Sequence, residues 1–441
     1  SNRESVSMAQ LTRPRSSRLS LLLRPLAPLR MRPYRLLLLG QTISSVGDYF
    51  LSVALPAFVL TQRGDAQALG IILAAYNAPR FVTLLGGGAL SDWIGPRRVM
   101  LLADVARAVL TAGLAALFSA GPHMSLWALC ALVGALGACG GFFLPAYSIM
   151  TPATLPDEAL QSGNALTLAS LQLAALAGPL LAGLVSARFT PSVAIGLDAL
   201  SFLASALTLA ALRDPRAASQ PPAPLARQSQ PGGAAAPETS RATQHRAKPS
   251  FWRFLRGSQL LQVILVVVVV ANLPVQGLKG VALPALAFRE LHLGTTGFGL
   301  MLAAFGAGGL IGSLAAAALP PLPRRGMLVL LLLAGDALAV GALPLAGGAF
   351  GAAICLIVWG LTNNLRDALY FTFIQQRLPR ELLGRVMGAL LFATYSVAPL
   401  SALLIGAAVA RFGPVVVFPA SGAVLLLAVV VGLIPPEIRE E

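Results

Sequence analysis

From residue 34 to residue 434 the chain alternates long apolar runs with short polar breaks. Stretches such as Val263 to Val275 carry no charge and show neither a strand's strict alternation nor the single apolar stripe of a surface helix. Such runs read as membrane spans, each needing ~20 residues to cross the hydrocarbon core. About twelve fit, roughly at 34–60, 67–90, 98–119, 125–148, 163–187, 191–212, 258–287, 296–318, 326–344, 350–373, 384–409 and 414–434. Between the sixth and seventh, residues 213–250 turn polar and rich in Pro, Ala, Ser and Gln, the composition of a disordered linker. The predicted organisation is a basic cytoplasmic tail (1–33), a six-helix bundle (34–212) and a cytoplasmic linker (213–257). A second six-helix bundle (258–434) and a short cytoplasmic tail (435–441) follow. Phe251, Trp252, Arg253, Phe254, Leu255 and Arg256 read either as a short interfacial helix or as the start of the seventh span.

The halves repeat each other. Leu155-Pro156-Asp157-Glu158 pairs with Leu378-Pro379-Arg380-Glu381, and at the same offset Ala187-Arg188-Phe189 pairs with Ala410-Arg411-Phe412 and Tyr147 with Tyr370. A constant offset over three spans indicates duplication about an axis along the membrane normal. The expected fold is therefore all-α, two pseudo-symmetric six-helix bundles able to rock about a central cavity.

Composition sharpens this picture. Of 441 residues, 56% are hydrophobic and 11% charged, too few charges to cover a soluble protein of this length. The net charge of +15 does not imply a nucleic-acid partner, because its distribution is one-sided. Roughly 24 Lys and Arg fall on the side of the N-terminal tail, Arg97–Arg98, the linker, Arg324–Arg325 and Arg377, Arg380 and Arg385, against about 4 opposite (Arg63, Arg188, Arg289, Arg411). That bias predicts cytoplasmic termini in a bacterial inner membrane. No signal peptide is expected, and Met31 reads as a natural start. Cys130, Cys139 and Cys355 lie in spans and read as small core residues; His123, His245 and His292 fall in loops or the linker, without metal-ligand spacing. No phosphate-binding loop, paired acids or metal set marks the chain as a pump driven by its own nucleotide hydrolysis or as an enzyme, and no cofactor is expected.

The loop between the second and third spans reads Gly88-Ala-Leu-Ser-Asp92-Trp-Ile-Gly95-Pro-Arg97-Arg98. Here Gly88 is expected to permit close helix contact, Gly95 to make a tight turn, and Arg97 and Arg98 to stay among headgroups. Asp92 is expected to meet the positive N-terminal end of the eleventh helix, near Gly384, when a cytoplasmic gate shuts. The loop resembles the signature of the major facilitator superfamily, G-x-x-x-D-x-x-G-x-R-R, at every one of those positions. Ala174-x-x-x-Gly178-Pro179-x-x-Ala182-Gly183 in the fifth span is similar to the superfamily's antiporter motif with alanine at two glycine positions, which implies export. Gln41, Ser44, Gly47, Asp48, Asp104, Arg107, Pro145, Asn164, Ala165, Asp198, Ser201 and Phe202 resemble the multidrug and macrolide efflux branch that includes enterobactin exporters. So do Gln375, Pro379, Gly384, Arg385 and Val386. Proton-coupled export of amphipathic drugs, macrolide-like compounds or siderophores by a monomer is what this resemblance implies. A lipid or lysophospholipid flippase, a solute importer and a non-transporting receptor or scaffold are the alternatives.

Charges at bilayer depth cost several kcal/mol unless paired or wetted, so each is a site candidate. Asp48 lies ~20 Å above Arg35 and Arg80 ~18 Å above Asp92 at 1.5 Å per residue, which puts them at similar depth on adjacent helices. They are expected to interact, with Asp48 the proton carrier: its carboxylate stays ionised beside Arg80 and takes a proton when rocking separates the two. Asp104 and Arg107, three apart, are expected to satisfy each other. Candidate cavity residues are Asn77, Arg107, Asn363, Asn364, Arg366, Asp367 and Tyr370, with at most one of the adjacent pair Arg366 and Asp367 facing the cavity. Asp336 is an alternative acid, and Asp198 is expected to pack within the first bundle. Lys279, ~34 Å along the seventh helix from Arg256, is expected near the outer mouth.

Overall fold

A computed structural model describes residues 24–121, 125–212, 256–319, 325–377 and 380–434. The expectations for most of the N-terminal tail, His123, the linker with the segment at 251–255, Arg324, Pro379 and the C-terminal tail lie outside the described residues. So do those for the side chains of Gln375, Arg377, Arg380, Gly384 and Arg385.

Among the described residues twelve long helices carry the chain back and forth. They are α1 (Arg32–Phe58), α2 (Ala66–Ile94), α3 (Pro96–Ser119), α4 (Leu126–Ala153), α5 (Leu160–Arg188), α6 (Pro191–Ala210), α7 (Gln259–Gly277), α8 (Gly294–Ala318), α9 (Arg325–Ala342), α10 (Ala349–Arg377), α11 (Arg380–Ser396, resumed by Ala398–Phe412) and α12 (Pro414–Gly432). In lipid every backbone group must be paired within the chain, which leaves helices as the available answer for runs of this length. Local chemistry sets their ends. Asp65, Thr190 and Ser258 cap α2, α6 and α7 through their side chains, Pro96, Pro191 and Pro414 open α3, α6 and α12, and Gly95 at φ +91° makes the turn from α2 into α3. The expected tight turn at Gly95 is therefore present. Eleven of the spans are long and apolar enough to cross a membrane by composition alone. The exception is α10, whose centre carries Asn363, Asn364, Arg366 and Asp367.

Packing repeats at an interval of six helices. In the first half α1 packs on α5 and α6, α2 on α4, and α3 on α4 and α6; in the second, α7 packs on α11 and α12, α8 on α10, and α9 on α10 and α12. This is the all-α, two-bundle arrangement expected from the internal repeat. The halves touch mainly through α5 with α8 and α2 with α11, two pairings that exchange under the same pseudo-symmetry. Outward-facing positions such as Leu200, Leu207, Leu331, Leu338 and Val430 are exposed and apolar, as a lipid-facing surface requires.

The end bearing Arg32 and the Arg97–Arg98 loop is called the near end below. At the far end Arg289 donates to the Gly64 carbonyl, linking the last turn of the seventh span (Leu286–Glu290) to the α1–α2 loop, and Gly70 of α2 lies against the Ala402 carbonyl and Gly406. Contact between α2 and α11 continues to the Phe81–Phe392 ring pair, 5.0 Å between centroids. Beyond it Gly88 and Gly388 each face open space, and Asp92 and Trp93 are exposed. The halves thus close around the far end and part toward the near end.

Candidate functional site

On α1, Gln41, Ser45, Asp48 and Ser52 recur at helical spacing and form a polar stripe, with Gln41 Nε2 donating to Ser45 Oγ at 3.0 Å. Asp48 and Ser52 are exposed. An exposed carboxylate at this depth cannot face hydrocarbon, so the stripe faces the space between the halves. Asp48 lies within electrostatic reach of Arg107, Arg80 and Asp104 but makes no ion pair among the described residues. Arg80 instead donates to the Tyr76 hydroxyl, 3.3 Å away, and its guanidinium lies 5.5 Å from that ring's centroid. The direct Asp48–Arg80 contact expected from depth is therefore absent in this state; equal depth does not align two side chains around their helix axes.

Arg107 is committed elsewhere. It pairs with Asp104 one turn back and is sandwiched between the Phe143 and Phe202 rings, 4.4 and 4.3 Å from their centroids. At 7% exposure it is part of the first bundle's core and does not line the cavity. The pairing with Asp104 is as expected; the cavity role is not. Asn77 is half-buried and donates to the Leu73 carbonyl of its own helix. Asp198, at 0% exposure, packs within the first bundle as anticipated.

In the second bundle Arg366 is the hub. It pairs with Asp336, which is 0% exposed and also accepts from Thr362 Oγ1, and with Asp367 at 2.9 Å, whose side chain is 51% exposed. Asp367 is thus the member of the adjacent pair that faces outward from α10, and Arg366 turns back to hold Asp336. Lys279 lies within electrostatic reach of Asp367, Asp336 and Arg366, its ammonium 4.2 Å from the Phe305 centroid and 5.4 Å from that of Trp359. The expected position near the outer mouth is wrong. Side chains on a helix slant toward its N-terminus, here inward, and the span runs on to Glu290, so ~15 Å of helix lies beyond Lys279 on the far side. Asn363 is buried and Asn364 donates to the Gly360 carbonyl beside Gly309 of α8, so both sit at helix contacts. Tyr370 is also inside the bundle, lining an apolar hollow with Val263, Ile264, Val329 and Leu330, its hydroxyl without a partner.

The motif residues divide. Gly178 lies under the Tyr49 ring, Gly183 against Thr295 and Gly299 of α8, and the Pro179 carbonyl beside Gly299, so small residues bring α5 onto α8 as expected. Gly88 makes no close helix contact; the tight approach of α2 to α4 is at Gly87, against Phe142 and Pro145. Among the described residues Asp92 makes no ion pair. Arg98 is exposed, whereas Arg97 donates through Nε to the Leu209 carbonyl (3.0 Å) and through Nη2 to that of Ala210 (2.8 Å), capping α6. Arg97→Ala is expected to lower stability by about 1–2 kcal/mol, since a charged donor's bond contributes somewhat more than a neutral one. Arg97→Lys should recover only part of this, a difference readable as melting temperature in detergent.

Among the described residues no group of three His, Cys, Asp or Glu side chains could hold a metal ion. What the elements bring together is two charged clusters, one on each bundle, with Asp48 and Ser52 exposed on the first and the Asp367 side chain on the second. The family model described as Major Facilitator Superfamily matches residues 37–402. The chain is 28% identical over 407 residues to a protein of Citrobacter koseri called enterobactin exporter EntS, covering 91% of this chain and 90% of that one. It is 28% identical to its namesake in Shigella boydii over 92% of both chains. Among solved structures it is similar to the nucleoside transporter NupG (TM-score 0.70, 11% identity, 91% of this chain and 98% of that one). It is also similar to a bacterial homologue of the iron transporter ferroportin in an inward-facing state (0.65, 19%, 91% and 98%).

Proposed function

The chain belongs to the Major Facilitator Superfamily, a multi-pass membrane transporter and not an enzyme, and from that premise we propose that it is a proton-coupled antiporter exporting a siderophore-class or other amphipathic small molecule. The likeness to enterobactin exporters over about nine-tenths of both chains supports export and the siderophore class. The observation that carries proton coupling is Asp48, an exposed carboxylate on the polar stripe of α1 with positive charge nearby but no ion pair. Closure at the far end with opening at the near end is one of the two states that alternating access needs. The arginine-rich near end faces the cytoplasm by the positive-inside rule, so the state described is inward-open, and Asp92 stands ready for α11 when the gate shuts. A monomer suffices for this scheme, since both charged clusters belong to the one chain.

In this mechanism a substrate enters from the cytoplasm and meets Asp48 and Arg80 on one wall and Asp367 and Lys279 on the other. Its arrival displaces a proton from the acid, the bundles rock, and the substrate leaves at the far end while the acid is recharged. Everted vesicles energised acid-inside test this. Enterobactin, a macrolide and a cationic dye are each added, and external pH and uptake are followed together. Uptake of at least one compound with matching proton release is the expected result, lost in Asp48→Asn. Uptake unaffected by the gradient, or silence in all three from folded protein, would overturn the reading in favour of uncoupled transport, an importer or a lipid carrier.

A further inference from the structure

One carboxyl group in the first bundle has no role in the scheme above. Asp198 of α6 is fully buried; its Oδ1 faces Ser201 Oγ at 3.3 Å, a hydroxyl that donates to the Asp198 main-chain carbonyl at 2.7 Å, and its Oδ2 has no partner among the described residues. No lysine or arginine among the described residues pairs with it. The helix crossing over it is α1, and it does so at Gly47: a Cβ there would stand 2.7 Å from Asp198 Oδ1 and closer still to Ser201. The next residue of α1 is Asp48. Glycine at 47 therefore brings the exposed acid of the cavity and the buried acid of α6 to one helix crossing, and the two lie within electrostatic reach of each other.

The charges around this crossing do not balance. Facing it are Asp48 from α1, Arg80 from α2, Asp104 and Arg107 from α3 and Asp198 from α6. That is three carboxyls against two guanidiniums. Arg107 is taken by Asp104 and by two aromatic faces, and Arg80 lies beside Tyr76. One acid is surplus, and of two neighbouring carboxyls lacking a cation each, only one ionises readily.

We propose that Asp48 and Asp198 share one proton across the α1–α6 crossing, with Asp198 holding it in the inward-open state and Asp48 exchanging it with the cavity. The transfer breaks the O–H bond at Asp198 and makes one at Asp48 once a shift of α1 against α6 brings the two carboxyls together, leaving Asp198 anionic; no other bond changes. Asp48 then releases the proton to the cavity when substrate displaces it. The pair rests on the proton-coupling reading above, and it replaces the Asp48–Arg80 contact as the unit that titrates. A buried store beside an accessible port also keeps the proton from leaking while the cavity is wet.

Infrared difference spectra of purified protein in lipid discs, titrated with pH alone, test the pair without any substrate. The wild type is expected to show the C=O stretch of a protonated carboxyl that disappears in Asp198→Asn, and whose titration midpoint moves in Asp48→Asn because its partner is gone. Asp198→Asn keeps the shape and the neutrality of the protonated carboxyl, so its melting temperature should not fall. Asp198→Glu should keep the band and move its midpoint. In everted vesicles supplied with enterobactin, Asp198→Asn should lose proton release while Asp198→Glu retains it. Identical spectra in wild type and Asp198→Asn, or a midpoint indifferent to Asp48→Asn, would overturn the pair whatever is transported. A wild type with the expected spectra but no substrate-evoked proton release would leave the pair standing and remove the antiport reading instead.

Discussion

Replacing Arg366 with alanine is expected to destabilise the second bundle by ~3–5 kcal/mol, the cost of leaving a buried charge unpaired, and to abolish transport. The reason lies in Asp336, which has no exposure and relies on Arg366 and Thr362 for its partners. Lys279 cannot substitute without leaving the Phe305 and Trp359 rings over which its ammonium lies. The pairwise origin of the loss is separable. In the double variant Arg366→Ala with Asp336→Asn the buried acid is neutral, so most of the stability should return, whereas transport should not, because Asp367 has still lost its cation. Melting temperatures of the two single variants and the double, taken with uptake in vesicles, form a double-mutant cycle. An Arg366→Ala protein as stable as wild type would show that the Arg366–Asp336 pair contributes nothing to the fold.

The fold was legible in the sequence because membrane spans are written in long apolar runs, and because the Leu155–Glu158 and Leu378–Glu381 repeats disclose the duplication directly. The site was less so. Depth along a helix follows from counting, and it placed Asp48 and Arg80 level with each other. Azimuth does not follow, because it depends on how α1 and α2 are rotated against their neighbours, and Arg80 turned to Tyr76. Counting also failed for Lys279, because the seventh span runs on to Glu290 and leaves the lysine well short of the far end. Asp198 was read as a packing residue, which its burial bears out; what that reading missed was Gly47, whose meaning becomes visible only when the α1–α6 crossing is seen. A glycine adjacent to a membrane-depth acid was the available signal. Tyr370, Asn363 and Asn364 were drawn toward the cavity by their polarity, yet each lies at an intrabundle contact, since helices in lipid also place polar groups between one another.

The second large effect concerns the rocking itself, and it rests on two glycines of α2. Gly70 and Gly88 are eighteen residues apart, about five full turns, so they lie on the same face of the helix. At the far end that face is closed: Gly70 abuts the Ala402 carbonyl and Gly406 of α11. At the near end it is open, and no described residue stands within 4 Å of where a Gly88 side chain would begin. If the bundles rock, the two positions exchange roles, and Gly88 is small for the sake of a state other than the one described. Gly70→Leu should therefore overpack only the inward-open state, by ~1–3 kcal/mol, enough to move the equilibrium about five-fold or more toward the outward-open one. Gly88→Leu should act in the opposite sense, sparing the inward-open state and obstructing closure of the near end. Both variants should fold and both should lose transport. Spin labels at the exposed positions Gln62 and His292 across the far end distinguish them: the distance should lengthen in Gly70→Leu and stay at its short value in Gly88→Leu. Equal distances in the two proteins would mean that α2 and α11 do not part along this face, and that access alternates by some other movement than a rocking of rigid halves.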